Sequence, residues 1–133
     1  MNRAEKALEI HQDRDYNCAQ SVLCAFEDLT GLDSEIGAAI TEGFGSGAKC
    51  GELCGAVAGA IMAIGLINCR NGEKTGHNPK IKAETLELIR SFRTENGCVT
   101  CRELLAARKE KNCSKYITDA VNELEKIIEG EKI

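Results

Sequence analysis

GFGSGAKCGELCGAVAGAIMAIGLI, residues Gly43 to Ile67, decides how the rest of this chain folds. It opens with Gly43, Gly45, Gly47 and Gly51, four glycines in nine residues, and reads there as a loop. An uncharged apolar run of fifteen residues follows, from Leu53 to Ile67. A bilayer span needs about 20 such residues, so the run predicts a buried core helix. Gly51, Gly55 and Gly59 recur every four positions, which places them on one helical face. Each costs a helix up to about 1 kcal/mol relative to Ala. That cost on one face implies an approach too close for a Cβ, by a neighbouring helix backbone, a bound cofactor or a second copy of the chain. Cys54 lies between these glycines, in the first turn of the predicted helix.

At 133 residues the chain suits a single domain, 1–133, with a core that needs no staples. A hydrophobic content of 43% with 29% charged residues is that of an ordinary globular protein. The net charge of −4 gives a nucleic-acid partner no electrostatic support, and no basic cluster argues otherwise. The opening MNRAEKALEIHQDRD alternates in charge and has no apolar core of a signal peptide, so a cytoplasmic location is expected. In that compartment eight cysteines point to metal or redox chemistry rather than to disulfide staples. Few aromatics, no Trp and one Pro favour helices over strands.

Taken in order, residues 2 to 13 predict an amphipathic helix with Ala4, Ala7, Leu8 and His11 on one stripe. Asn17 caps the next helix, with Gln20 in capping-box position, and Gly31 stops it after about Leu29. Asp33 caps a third helix, Ser34 to about Glu42. The glycine-spaced core helix follows and ends before Asn68. After a polar loop, Asn78-Pro79 starts a helix to about Thr94. Thr100 with Glu103 opens the short helix CRELLAARK, and Asn112 caps the last helix, with Tyr116, Ile117, Ala120, Val121, Leu124 and Ile127 as its stripe. No segment sustains period-two alternation. The expectation is an all-α bundle of about six helices around the central glycine-spaced helix.

The cysteines sort by their places on these helices. Cys18, Cys101 and Cys113 each follow a cap, and Cys54 falls in a first turn, so four thiols stand at helix N-termini. Free N–H groups and the positive end of the helix dipole favour a thiolate there, the form that binds metal or attacks a disulfide. Cys24 and Cys69 read as small buried hydrophobes. Cys50 and Cys98 form local pairs with Cys54 and Cys101, a spacing that suits a four-thiolate zinc site or a dithiol couple. The competing reading makes all eight inert buried thiols, and it leaves the clustering at helix starts without a reason.

These residues resemble the small redox-active family written C_GCAxxG_C_C, whose hallmark is a CGAxxG segment and four characteristic cysteines. The hallmark here is Cys54-Gly55-Ala56-Val57-Ala58-Gly59, followed by AIMAIGL. Cys18 in NCAQSVL, Cys101 in CRELL and Cys113 in CSKYITDA supply the other three, and the likeness runs from about Ala7 to Ile128. The resemblance implies redox activity. A related segment occurs in split-Soret cytochrome c, where cysteines are associated with an iron–sulfur cluster. No CxxCH is present, which excludes c-type haem attachment here. Cys50 and Cys98 are additions to the family pattern.

The expected function is therefore a four-cysteine site, Cys18, Cys54, Cys101 and Cys113, holding an iron–sulfur cluster for electron transfer to a redox protein partner. Gly55 and Gly59 would let backbone approach the cofactor. Zinc is the alternative metal, and a metal-free thiol–disulfide protein the alternative chemistry. Nucleotide binding at GFGSG lacks the preceding strand and the Lys-Ser/Thr of a phosphate loop. His11 and His77 read as solvated, and Glu123, Glu125, Lys126 and Glu129 as a solvated face. No catalytic residue and no membrane span are assigned.

Overall fold

The computed structural model describes residues 1–69, 75–107 and 113–130. The fold is all-α. Among the described residues there are eight α-helices: α1 (Arg3–Asp13), α2 (Cys18–Ala25), α3 (Glu27–Thr30), α4 (Ser34–Thr41), α5 (Gly55–Cys69), α6 (Pro79–Asn96), α7 (Cys101–Ala107) and α8 (Ser114–Gly130). No strand forms among them; one isolated antiparallel bridge joins Leu53 to Thr100.

Helix α5 is the centre, as its sequence requires. It is apolar on every side, with residues from Gly55 to Ala60 buried together with Ala63, Ile64 and Asn68. A helix apolar all round must be covered all round, and α2, α6 and α8 supply the cover. Helix α8 shows the opposite pattern: Tyr116, Ile117, Ala120, Val121, Leu124 and Ile127 form one buried stripe, as the periodicity predicts. Glu123, expected on the solvated face, is instead nearly buried and paired with Lys126 at 3.3 Å. The core closes around Phe26 and Phe92, both fully buried. Truncating either to Ala would cost about 3–5 kcal/mol.

The sequence marks seven helical segments and the structure has eight among the described residues, because the predicted helix from Asn17 to Leu29 is broken. Phe26 leaves helical geometry (φ −103°, ψ 15°), and its N–H turns back to Leu23 and Cys24. The break lets the ring enter the core while the Arg3 guanidinium stacks over it at 4.7 Å. Gly31 ends α3 in the left-handed region (φ 72°) as expected. Helix α5 also runs past Asn68 to Cys69, because the Asn68 amide finds buried acceptors in the Ile64 carbonyl at 2.9 Å and Glu84 Oε1 at 2.6 Å.

The glycine segment is not an open loop. It winds through a 3₁₀ turn, Glu42–Phe44, and a wide turn, Gly47–Gly51, in which Ser46, Ala48 and Lys49 all hold positive φ. Gly51 belongs to this turn (φ 80°) and not to the helical face with Gly55 and Gly59. What approaches that face is α2 of the same chain. A Cβ on Gly59 would lie 2.6 Å from the Ala19 carbonyl oxygen, and one on Gly55 would overlap the Cys18 sulfur. The contact lies within the chain, so a second copy is not what these two glycines accommodate. The Asn112 cap, Arg108, Lys109 and part of the loop before Asn78 fall outside the described residues.

Candidate thiol-lined site

Each of the four cysteines is positioned by local backbone chemistry. Asn17 caps α2 in a complete capping box: its side chain accepts from Gln20 N–H at 2.9 Å, and the Gln20 amide oxygen accepts from Asn17 N–H at 2.8 Å. Cys18 is therefore the first residue of α2. Cys54 stands one position earlier than expected, at the cap of α5. Its carbonyl accepts the first helical bond, from Ala58, and its sulfur accepts from the Ala56 and Val57 N–H groups.

The Leu53–Thr100 bridge joins this cap to α7. Cys54 N–H donates to the Val99 carbonyl at 2.8 Å and Cys101 N–H to the Glu52 carbonyl at 2.6 Å. Two thiols distant in sequence are thereby set on adjacent helix starts. Thr100 does cap α7, with a difference from the predicted box: its hydroxyl donates to the Glu103 carboxylate at 2.7 Å. Cys113 likewise sits at a cap, its carbonyl accepting from Ile117 N–H.

All four thiols line one cavity of about 260 Å³. Ser46, Gly55, Tyr116 and His11 line it too. Tyr116 is fixed by donating its hydroxyl to the Leu104 carbonyl at 3.0 Å, which ties α8 to α7 at the cavity wall. Gly59 lies one turn deeper, against Ala19, and does not line it. Cys50 and Cys98 do not line it either; their thiols point to the Gly47 and Asn96 carbonyls. No disulfide joins any of the eight cysteines.

The electrostatics differ from the expectation that helix ends alone would hold these sulfurs as anions. Cys18 is pushed far above the ordinary thiol range, first by its hydrogen bond with Cys113, then by burial and by the neighbouring sulfurs of Cys54 and Cys113. The Ser46 N–H works against this but does not prevail. Burial pushes Cys54 up to about 11, despite the opposing bonds from Val57 and Ala56. The Cys18–Cys113 hydrogen bond, desolvation and like-charge repulsion together exceed the helix-end effect. Cys18 and Cys54 stay protonated unless positive charge enters the pocket with them.

Residues 16–127 match the family described as "Putative redox-active protein (C_GCAxxG_C_C)". The chain belongs to that family. No match is found among curated proteins or solved structures. The C_GCAxxG_C_C span takes in the four cavity-lining cysteines and leaves His11 just outside. Among the described residues, no group of three or more His, Cys, Asp or Glu side chains is gathered as a single-ion site would be. Zinc held by four sulfurs at about 2.3 Å needs them within about 4 Å of one another. The C_GCAxxG_C_C cavity sets four soft donors around one space of about 260 Å³, the donor type of a thiolate-bound metal or cluster.

Two polar lining residues, Ser46 and His11, escaped the sequence reading. Ser46 lies in the glycine segment, where no periodicity marks which N–H faces inward. His11 was legible in part, since it shares the stripe of Ala4 and Ala7, both buried. Its ring is anchored by Nδ1, 2.6 Å from the Tyr16 carbonyl oxygen, and is not simply solvated. No described helix is long and apolar enough to cross a membrane.

Proposed function

We propose that this protein is an electron-transfer protein whose thiol-lined cavity holds an iron–sulfur cluster on Cys18, Cys54, Cys101 and Cys113. One observation carries the reading: four cysteines far apart in sequence, each at a helix start, line the same cavity of about 260 Å³. Such a cluster supplies one-electron redox chemistry when bound, with a potential set by hydrogen bonds, burial and net charge. The chain's own part is to deliver sulfur ligands and N–H donors. The Ala56, Val57 and Ser46 amides already point at Cys54 and Cys18 sulfurs, where they would stabilise thiolates once iron offsets the charge. Gly55 leaves the Cys18 sulfur unobstructed.

The test is anaerobic reconstitution with iron and sulfide. The wild-type protein should take up both and turn brown. Cys54→Ala should lose at least tenfold in iron retained after gel filtration, with an unchanged helical circular-dichroism spectrum. Equal loading of the variant and the wild type sinks the assignment.

The second reading rests on the hydrogen bond between Cys18 and Cys113. Those two thiols could close to a disulfide, giving two protons and two electrons to a partner disulfide, with no metal present. A colourless, iron-free protein whose thiol count falls by two on mild oxidation, unless Cys113 is replaced, would favour it.

A further inference from the structure

The turn from Ser46 to Gly51 lies between the thiol cavity and solvent. Ser46 is exposed and also lines the cavity, where its N–H donates to the Cys18 sulfur. Just before it, the Phe44 carbonyl oxygen lies 3.0 Å from the point that a Cβ on Gly55 would occupy, a point the Cys18 sulfur overlaps. The backbone from Phe44 to Ser46 therefore closes over this sulfur, which belongs to a residue only 8% exposed.

Little within the turn holds it in place. Ser46, Gly47, Ala48 and Lys49 are all left-handed (φ 56°, 63°, 58° and 64°), a run that L-residues disfavour. Ser46, Ala48, Lys49 and Cys50 are exposed, so no buried side chain anchors the segment. Segments with few buried apolar contacts open locally before the rest of a fold. Polar tethers oppose that opening. Glu52 N–H donates to the Gly47 carbonyl at 2.8 Å, and Lys49 pairs with Glu42 at 3.1 Å, an exposed contact of small worth. The third tether comes from α7. The Arg102 side chain runs across Gly51, where a Cβ would lie 3.3 Å from Arg102 Cβ and Nε, and Nη2 donates to the Cys50 carbonyl at 3.0 Å. A hydrogen bond from a guanidinium is of the stronger, charge-assisted kind.

We infer that this turn is a lid over Cys18 and that Arg102 is its latch. When the guanidinium releases the Cys50 carbonyl, Ser46 to Gly51 relaxes from its left-handed path and the Cys18 sulfur opens to metal ions and thiol reagents. Arg102 does not line the cavity, so it acts as a positioning residue; it directly follows Cys101, which does. Latch and cavity thiol thus share one helix start, and a metal held by Cys101 would steady the lid that admitted it. The inference needs the cavity but not the cluster, and its test is read on the metal-free chain.

The reduced full chain is treated with N-ethylmaleimide, and labelling of each cysteine is followed by peptide mass spectrometry. Cys24 is the internal control: it is buried on the same helix α2, outside the cavity, and reports unfolding. Arg102→Leu should label Cys18 about tenfold faster than the wild type, the effect of losing one charged hydrogen bond, with Cys24 unchanged. Arg102→Lys, which keeps a donor, should fall between the two. Equal Cys18 rates in the wild type and Arg102→Leu overturn the latch. So does a rise of Cys18 and Cys24 in step, which would make Arg102 a support of the whole fold. Hydrogen exchange of the wild type tests the lid without any variant. The Glu52 amide, bonded to Gly47, should be protected about tenfold less than the amides at the centre of α5. Equal protection would mean that the turn opens only with the whole molecule, and the lid would fall.

Discussion

Replacing Gly59 with Ala tests the packing on which the cavity depends. In an exposed helix this change would gain up to about 1 kcal/mol. Here the new Cβ would sit 2.6 Å from the Ala19 carbonyl oxygen, and ordinary contact begins at 3.4 Å, a deficit of 0.8 Å (3.4 − 2.6). The obstacle is backbone, so no side chain can swing aside. Helix α2 is held by its capping box and by buried Val22, Leu23 and Phe26, so it resists the shift. Overpacking of this kind costs about 1–3 kcal/mol, which leaves a net loss of up to about 2 kcal/mol after the helix gain. With a urea slope of about 2 kcal/mol per molar, the midpoint should fall by up to about 1 M. Gly65→Ala in the same helix is the control. Nothing lies within 4 Å of its Cβ position, so that midpoint should rise. Urea titrations followed by circular dichroism decide. If Gly59→Ala is as stable as Gly65→Ala, the close approach of α2 to α5 is wrong. Because Ala19 follows Cys18 directly, the displaced α2 should also lower iron uptake in the Gly59 variant.

Without metal, stability should fall at high pH. Cys54 is raised to about 11 from an ordinary 9.0, so the fold favours its neutral thiol. That contribution is whole below about pH 9 and is lost as pH climbs through 11, by roughly 3 kcal/mol at most. Urea midpoints for wild type and Cys54→Ala between these values should converge; parallel curves would refute the burial effect. Ala48 holds φ 58° and ψ 38°, a conformation that costs an L-residue about 1–2 kcal/mol. Ala48→Gly should therefore raise the melting temperature by a few degrees, the gain being reduced by the greater freedom of glycine when unfolded. A lower melting temperature would show that the left-handed turn is not strained.

Much of the fold was written in local patterns. The stripe of α8, the Asn17 capping box and the all-apolar α5 depend on neighbours three or four residues away, and these were readable. The break at Phe26 was not, because it is set by the core that the ring enters and by Arg3 stacking from α1. The path from Gly43 to Gly51 was hidden for a similar reason: positive φ at Ser46, Ala48 and Lys49 runs against the preferences of those residues, so tertiary contact must impose it. Arg102 donating to the Cys50 carbonyl at 3.0 Å is one such contact. Cap chemistry pointed to Cys18, Cys101 and Cys113, but it could not reveal how the hydrogen bond with Cys113 at Cys18, and burial at Cys54, would reverse the charge preference. That depends on neighbours brought together only by folding.

The Leu53–Thr100 bridge has a consequence for how the molecule is made. It closes a loop of nearly fifty residues, and Cys113 leaves the ribosome 95 residues after Cys18 (113 − 18). Closing long loops is slow relative to forming local helices. During synthesis, nascent α2 and α5 would expose two unshielded thiols before α7 and α8 arrive to roof them. In an oxidising test tube that interval invites scrambled crosslinks, so refolding yield should depend on reductant until the last helix docks.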